Sequence, residues 1–378
     1  MANKPEVIII GGGAAGCAAA YNLSLSGIKC AVIEREAIGS QASGYAAGGL
    51  NPLEGTNIPG PLGALAMESY ALHKALWESL KDSTSIDYQW RLINLLKVCF
   101  DDSEASDLTE IHARFNGFPD DTFSADWLTD RNLQNLEPRI SPESSSGLLV
   151  KGNATVNSYQ YTLALAKAAE KMGTSFINGT VTGIQRQNNL VTAVELDGEY
   201  IHCETLVIAT GPWSQDAAHW LGTQIPVSPL KGEILRLELT GTPLKYDFSG
   251  GGGSIYSKPD GQIWCGSTEE WKGFDKELTE SAKALIMKGA TKLIPDLSDS
   301  TLVLHTACLR PVTPDWLPII GPAPLWDNVF LATGAGKKGI LLSPAIGKSI
   351  SDLITKGATD LSIDCCRPDR TVTEYVSK

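Results

Sequence analysis

At 378 residues the chain is about two to three times the usual single-domain length, so one large domain or two interleaved ones are expected. Hydrophobic residues at 43% and charged residues at 20% fit a folded globular protein and exclude a disordered or collagen-like chain. The net charge of −12 argues against a nucleic-acid backbone or an anionic membrane surface as partner, because phosphate neutralisation needs clustered Lys and Arg.

In chain order, residues 7–10 form a β-branched run typical of a buried parallel strand. Residues 11–16 are a glycine-rich turn, 14–26 a helix ended by Gly27, and 29–33 a second strand closing at Glu34. Residues 39–63 are rich in Gly, Ala, Ser and Pro and read as a long functional loop. A helical period resumes over 65–80, residues 95–100 are strand-like, and 132–140 make a short helical stretch. An alanine-rich helix runs over 159–172, capped by Asn157 or Ser158 and stopped by Gly173. Strands are expected at 181–185, 191–196 and 206–209, and half-exposed antiparallel strands at 230–239 and 254–266. The run Gly250 to Gly253 reads as a hairpin tip. A helix over 279–294, a strand over 329–332 and a closing helix over 344–354, with Pro344 near its start, complete the pattern.

Eight dispersed cysteines without a C-x-x-C pair suggest neither a zinc ribbon nor a dithiol redox site. They suit a reducing compartment. No run of about 18 apolar residues occurs, so no membrane-spanning helix is predicted and a cytoplasmic location follows by default. None of His73, His112, His202, His219 and His305 has metal-ligand or catalytic-triad spacing, and each is read as structural or surface. His305, close to Arg310 in sequence, is a candidate for approaching the site.

Gly11-Gly12-Gly13-Ala14-Ala15-Gly16 fits G-x-G-x-x-G, and here it follows a strand and opens a helix, as its chemistry requires. Gly11 permits the tight turn, Gly13 admits a pyrophosphate to the backbone, and Gly16 lets helix and strand pack closely. The helix start offers free N–H groups to phosphates. Glu34 is placed to accept hydrogen bonds from ribose hydroxyls, and its charge disfavours a 2′-phosphate. A second match, Gly334-Ala335-Gly336-Lys337-Lys338-Gly339, follows the strand at 329–332. No acidic strand end follows it, so a helix start aimed at a flavin is the better reading, with a plain strand-to-helix connection as the alternative. The first motif's position near the start of the sequence and this second turn favour FAD over NAD.

These motifs resemble the D-amino-acid oxidase, glycine oxidase and sarcosine oxidase superfamily of flavoproteins, above all its glycine-oxidase branch. The resemblance rests on residues 7–34, 39–52, 205–214, 261–274 and 308–321, the last leading into 334–344. It implies an α/β fold in which a Rossmann-like FAD-binding domain (1–85, 150–225 and 305–378) is interleaved with an α+β substrate domain (86–149 and 226–304) holding a largely antiparallel sheet. It implies cofactor contacts from Gly11, Gly13, Ala14, Ala15, Gly16, Glu34 and Arg35. Ser40, Ala42, Ser43, Ala47, Gly48, Gly49 and Leu50 would wrap the pyrophosphate and flavin. Val181 would meet the adenine through its backbone, and Thr210, Gly211 and Trp213 would lie against the cofactor. Cys308, Arg310, Gly334, Gly336, Lys337, Lys338, Gly339 and Ile340 would complete the site.

The resemblance also implies oxidation of a C–N bond in a small amine or amino acid by hydride transfer from the α-carbon to flavin N5, with oxygen or an electron carrier as final acceptor. Arg310 matches the carboxylate-binding arginine, a planar fork suited to that task. Its alternative is an ion pair with a carboxylate such as Asp315. Glycine oxidases usually carry His and Arg in the last glycine turn, where this chain has Ala335 and Lys337. Sarcosine oxidases place a substrate-binding lysine one residue later, which matches Lys338. Tyr256 and Lys258 are further candidates to face the substrate. Cys308 sits where sarcosine oxidases attach the flavin covalently, so a thioether stands as the alternative to noncovalent FAD. A 2-hydroxy-acid dehydrogenase of the same fold and a noncatalytic flavin subunit of an electron-transfer complex are the competing functions. A homo-oligomer is compatible with the sequence.

Overall fold

The computed structural model describes residues 5–119 and 121–372. Val7–Ile10, buried at all its positions, is the centre of a six-stranded sheet. It pairs in parallel with Cys30–Glu34 on one side and Thr205–Ile208 on the other. Ser175–Asn178 and Val329–Thr333 extend the sheet in parallel, and Ile319–Pro322 adds an antiparallel edge. A parallel sheet must be covered on both faces. One face carries the mutually packed helices Ala14–Leu25, Gly63–Thr84, Ser158–Lys171 and Gly339–Lys356. The other carries the meander Val181–Gln187, Leu190–Leu196, Glu199–His202 and the helix Ser214–Leu221.

The second layer is an eight-stranded sheet. Its order is Thr301–Val312, Ser228–Glu238, Ile263–Gly266, Gly253–Ser257, Asp247–Gly250, Leu95–Cys99, Ser146–Lys151, Ser124–Thr129. All neighbours are antiparallel except Asp247–Gly250 beside Leu95–Cys99. The helix Glu280–Leu293 closes its core with Leu235, Phe248 and Ile255. The mixed α/β architecture expected from the sequence is thus present. The expected segment limits at 149/150 and 304/305 fall inside the strands Ser146–Lys151 and Thr301–Val312. Gly250 and Gly253 pair across a two-residue turn in which Gly251 and Gly252 have φ 52° and 78°, as a type I′ hairpin requires.

Several elements lack a sequence signal. Asp102–Asp107 is exposed or half-buried throughout, so no apolar period marks it. Thr301–Val312 runs from four exposed residues into a buried half, so no single alternation describes it. The loop over 39–63 contains a short helix, Ala42–Tyr45, and a strand, Gly49–Leu50, paired with Ala154–Thr155.

The closing helix begins at Gly339, before Pro344, and so corrects the expected start. Pro344 has no N–H to give the Ile340 carbonyl. His73 Nε2 lies 2.8 Å from that carbonyl and takes the vacant place. Ser69 Oγ donates to the Leu341 carbonyl at 2.7 Å and accepts from the Ala345 N–H at 3.1 Å. Among the described residues no helix is long and apolar enough to cross a membrane.

Candidate active site

The first glycine turn is shaped by contacts that exclude side chains. Gly11 has φ +108°, and a Cβ there would lie 2.4 Å from the Ala209 carbonyl oxygen. A Cβ on Gly16 would lie 2.0 Å from the Gly11 oxygen, so helix and turn are in close contact. Glu34 Oε2 accepts from the Gly12 N–H at 2.7 Å, which locks its carboxylate across the turn. Ser43 Oγ accepts from the Ala14 N–H at 2.9 Å. Gly13, at the N-cap, provides no side-chain cap, so the first-turn amides other than that of Ala14 keep their positive end towards the cavity beside them.

That cavity collects most of the residues singled out in the sequence. Gly11, Gly13, Ala14, Ala15, Glu34 and Arg35 line it, with Val181 and Trp213. The Arg35 guanidinium lies 4.0 Å from the Trp213 ring centre, a cation–π contact. Ala42, Ser43, Ala47, Thr210 and Gly211 also line it. Cys308, Arg310, Tyr256, Gly334, Gly336, Lys337, Gly339 and Ile340 complete the lining.

Six of the expected cofactor contacts lie outside the lining. Gly16 packs behind the turn. Ser40 has a buried hydroxyl without a protein partner, one residue before the lining Gln41. A Cβ on Gly48 would lie 1.9 Å from the Val156 oxygen. Leu50 is fully buried in the core, and Gly49 lines a second, smaller cavity. Lys338, expected to face the substrate, turns the other way and donates to the Glu54 carbonyl at 2.6 Å. Burial brings its ammonium down to about 8, against the opposing pull of Glu54. Lys337 and Lys338 diverge because Gly336–Lys338 is a 3-10 turn, which sends neighbouring side chains a third of a turn apart. Lys337 stays at the cavity, paired with Glu269 at 2.7 Å.

The two glycine turns are joined by a hydroxyl network without an obvious sequence signal. Ser214 Oγ lies 2.7 Å from Thr333 Oγ1, and both donate to the Gly211 carbonyl, at 2.6 and 3.1 Å. The only hint lay in two separated Thr-Gly pairs, Thr210-Gly211 and Thr333-Gly334.

Cys308 and Arg310 alternate on the cavity face of Thr301–Val312. The Arg310 fork donates to the Thr268 carbonyl at 3.1 Å and to Ser267 Oγ at 2.6 Å. Among the described residues it has no carboxylate partner. Asp315, the alternative partner, is held bidentately by Arg370 at 2.8 and 3.0 Å. Gly232, on the adjoining strand, makes room for the guanidinium: a Cβ there would lie 2.1 Å from Nη2. Burial pushes the Cys308 thiol up, with Arg310 pulling it partly back. Burial likewise raises the Tyr256 phenol, leaving it a neutral donor. Lys258 and His305 do not face this space. Lys258 donates to the Ala47 carbonyl, and His305 Nε2 lies on the opposite face, 2.6 Å from Glu233.

These residues fit FAD. Glu34 presents a carboxylate for ribose hydroxyls, the glycine at the first helix's N-cap suits a diphosphate, and the second helix start at Gly339 lies on the same cavity. The comparisons agree with this fit. The chain is 29% identical over 361 residues to a glycine oxidase of Geobacillus kaustophilus, covering 95% of both proteins. It is 28% identical to the hydrogen cyanide synthase subunit HcnC of Pseudomonas aeruginosa, covering 95% of this chain and 94% of that one. The crystal structure of the Geobacillus kaustophilus glycine oxidase superposes with a TM-score of 0.91 at 28% identity, over 98% of this chain and 100% of that one. Residues 6–353 match the model of the DAO family, the FAD dependent oxidoreductases, and the chain belongs to that family.

Proposed function

We propose that this protein oxidises a small amine or amino acid of the glycine, sarcosine, D-amino-acid or imino-acid type. The carrying observation is the Arg310 guanidinium, free of any described carboxylate, on the same cavity as the dinucleotide-binding turn. FAD, when bound, supplies a two-electron acceptor at ring nitrogen N5. Arg310 fixes the substrate carboxylate, and the neutral Tyr256 hydroxyl is placed to donate at the same end. The walls formed by Cys308, Ile340 and Ile234 keep water from the reacting carbon. The substrate loses a hydride and a proton and leaves as an imine, which water hydrolyses. A strong base is not needed if the amine enters neutral.

FAD is held noncovalently in this reading, because the raised Cys308 thiol is a poor source of thiolate. Acid precipitation should leave the yellow colour in the supernatant; colour retained in the pellet overturns noncovalent binding. The dispersed cysteines, none in a disulfide among the described residues, support a reducing compartment, the cytoplasm. We retain the three-segment cofactor domain, with its last segment entered at the end of the strand Thr301–Val312.

The deciding experiment is anaerobic bleaching of the purified yellow protein by glycine, sarcosine, proline and D- and L-amino acids. Bleaching by one or more of them supports the reading. A protein bleached by 2-hydroxy acids alone, or a colourless one that binds NAD, sinks it. Admitting air then separates an oxidase, which recovers its colour and yields peroxide, from a dehydrogenase that waits for a carrier.

A further inference from the structure

A second cavity of about 180 Å³ lies beside the first, and Tyr256 lines both. Its walls come from Leu95–Cys99, Asp247–Gly250 and Gly253–Ser257 of the eight-stranded sheet and from the segment that follows Gly48. Its lining is polar and incompletely paired. Asn153 is 1% exposed, and neither its Oδ1 nor its Nδ2 has a partner in the protein. Glu54 Oε1 is held by Lys97 Nζ at 2.5 Å, while its buried Oε2 has none. Asp247, 7% exposed, accepts from the Ser257 N–H at 2.8 Å. Buried polar atoms are normally paired, so this set marks a place prepared for a polar group.

Which group follows from what each alternative would meet. A cationic group would meet Lys97, and the carboxylates that could hold it are already offset, Glu54 by Lys97 and Asp247 by the nearby charges of Lys258 and Arg91. An anionic one would meet Glu54 and Asp247. An apolar one would leave Asn153 and Glu54 Oε2 unpaired. A carboxamide matches. It can exchange two hydrogen bonds with the Asn153 amide and give its second N–H to Glu54 Oε2.

We propose that this compartment receives the side chain of an amino-acid substrate and selects an uncharged carboxamide. The proposal rests on the amine-oxidation reading and names its substrate class. Asn153 and Glu54 are the specificity-determining residues. Tyr256, shared by both cavities, marks where the carboxylate end at Arg310 gives way to the side-chain end. Gly49 is part of this lining. A Cβ there would have only Asn51 Oδ1, at 3.9 Å, within contact range, and its backbone is not left-handed, so a larger residue can be introduced without strain.

The test compares asparagine with its apolar isostere leucine, in both configurations, as reductants of the holoprotein flavin, with glycine as the reference without a side chain. Asparagine of one configuration is expected to exceed leucine at least tenfold in kcat/KM, since a site built for hydrogen bonds rejects an analogue lacking them. Asn153→Leu should cut that ratio tenfold or more. Gly49→Leu, which adds a side chain on the lining, should lower kcat/KM for asparagine at least tenfold relative to glycine, and it decides the matter if Asn153→Leu fails to retain FAD. Equal handling of asparagine and leucine overturns the proposal, as does a preference that survives both substitutions. Bleaching by glycine with no response to asparagine sinks the compartment and leaves amine oxidation standing. Bleaching by no amino acid sinks both.

Discussion

Arg310 and Gly232 act as one unit across two strands. The glycine contributes no side chain, and the guanidinium occupies the space a methyl would take. Gly232→Ala is therefore expected to push the fork out of line and raise KM for an amino-acid substrate about tenfold, with thermal unfolding little changed. Arg310→Met should cost about 1.5–3 kcal/mol of substrate binding, the range for a charged hydrogen bond, and Arg310→Lys should recover only part of it. Steady-state kinetics on the three variants checks the set, and an unchanged KM in Arg310→Met refutes the assigned role. Arg310 was legible because its motif names it. The direction of Lys338 was not, since one residue along a 3-10 turn decides which side of the wall a lysine reaches. A further residue carries chemistry apart from the cavity. Cys365, half-buried, has its thiol lowered by the hydrogen bond from Cys366, with Arg370 adding to the effect. Its neighbour and the six other thiols are buried. Iodoacetamide should label Cys365 first and at lower pH than an ordinary thiol, and mass spectrometry of the labelled peptides tests it.

The helix Gly339–Lys356 shows how an element absorbs a residue that should interrupt it. Pro344 removes one ladder bond, and His73 and Ser69, both from Gly63–Thr84, reach across to the exposed carbonyls. The cost of the proline is converted into a specific contact between two helices. Ser69→Ala should destabilise the fold by about 1–2 kcal/mol, measured by chemical denaturation, because it strips a partner from buried backbone groups. His73 is fully buried, and burial lowers it to about 4 against the pull of the Ile340 carbonyl. Its folded value lies below the unfolded one, so the unfolded chain takes up the proton first as pH falls. The stability it supports is complete above about pH 6.5 and is lost between there and pH 4, roughly 3 kcal/mol over the window. His73→Gln should flatten that part of the stability–pH curve, whereas an unchanged slope would place the titration elsewhere. The helix itself was evident from its apolar period. Its start was not, because the sequence shows a proline but not the side chains that compensate for it.

At the scale of the whole molecule the cofactor cavity lies between the parallel sheet and the antiparallel one. Glu34 and the first turn approach it from one side, and Arg310 and Tyr256 from the other. Bound FAD is then part of what holds the layers together. Removal of FAD should lower Tm, and adding FAD back should restore stability with the logarithm of its concentration, by about 2.7 kcal/mol of unfolding free energy at a hundredfold excess over Kd. Scanning calorimetry on stripped and reloaded protein tests this, and a Tm indifferent to FAD would contradict it.

The sequence by itself determined the elements whose burial is uniform and the turns whose chemistry is local. The strand Val7–Ile10, the helix behind it and the glycine turn between them depend on neighbours a few residues away, so their pattern is complete in the chain. Only the tertiary structure decided what depends on distant partners. Thr301–Val312 becomes a strand because Ser228–Glu238 pairs along it, and that pairing sets Cys308 and Arg310 on one face and His305 on the other. The Ser214–Thr333 bond that joins the two glycine turns spans 119 residues. Asn153, buried without a partner beside Tyr256, carries no mark in the sequence, because an unpaired side chain is a property of everything that surrounds it.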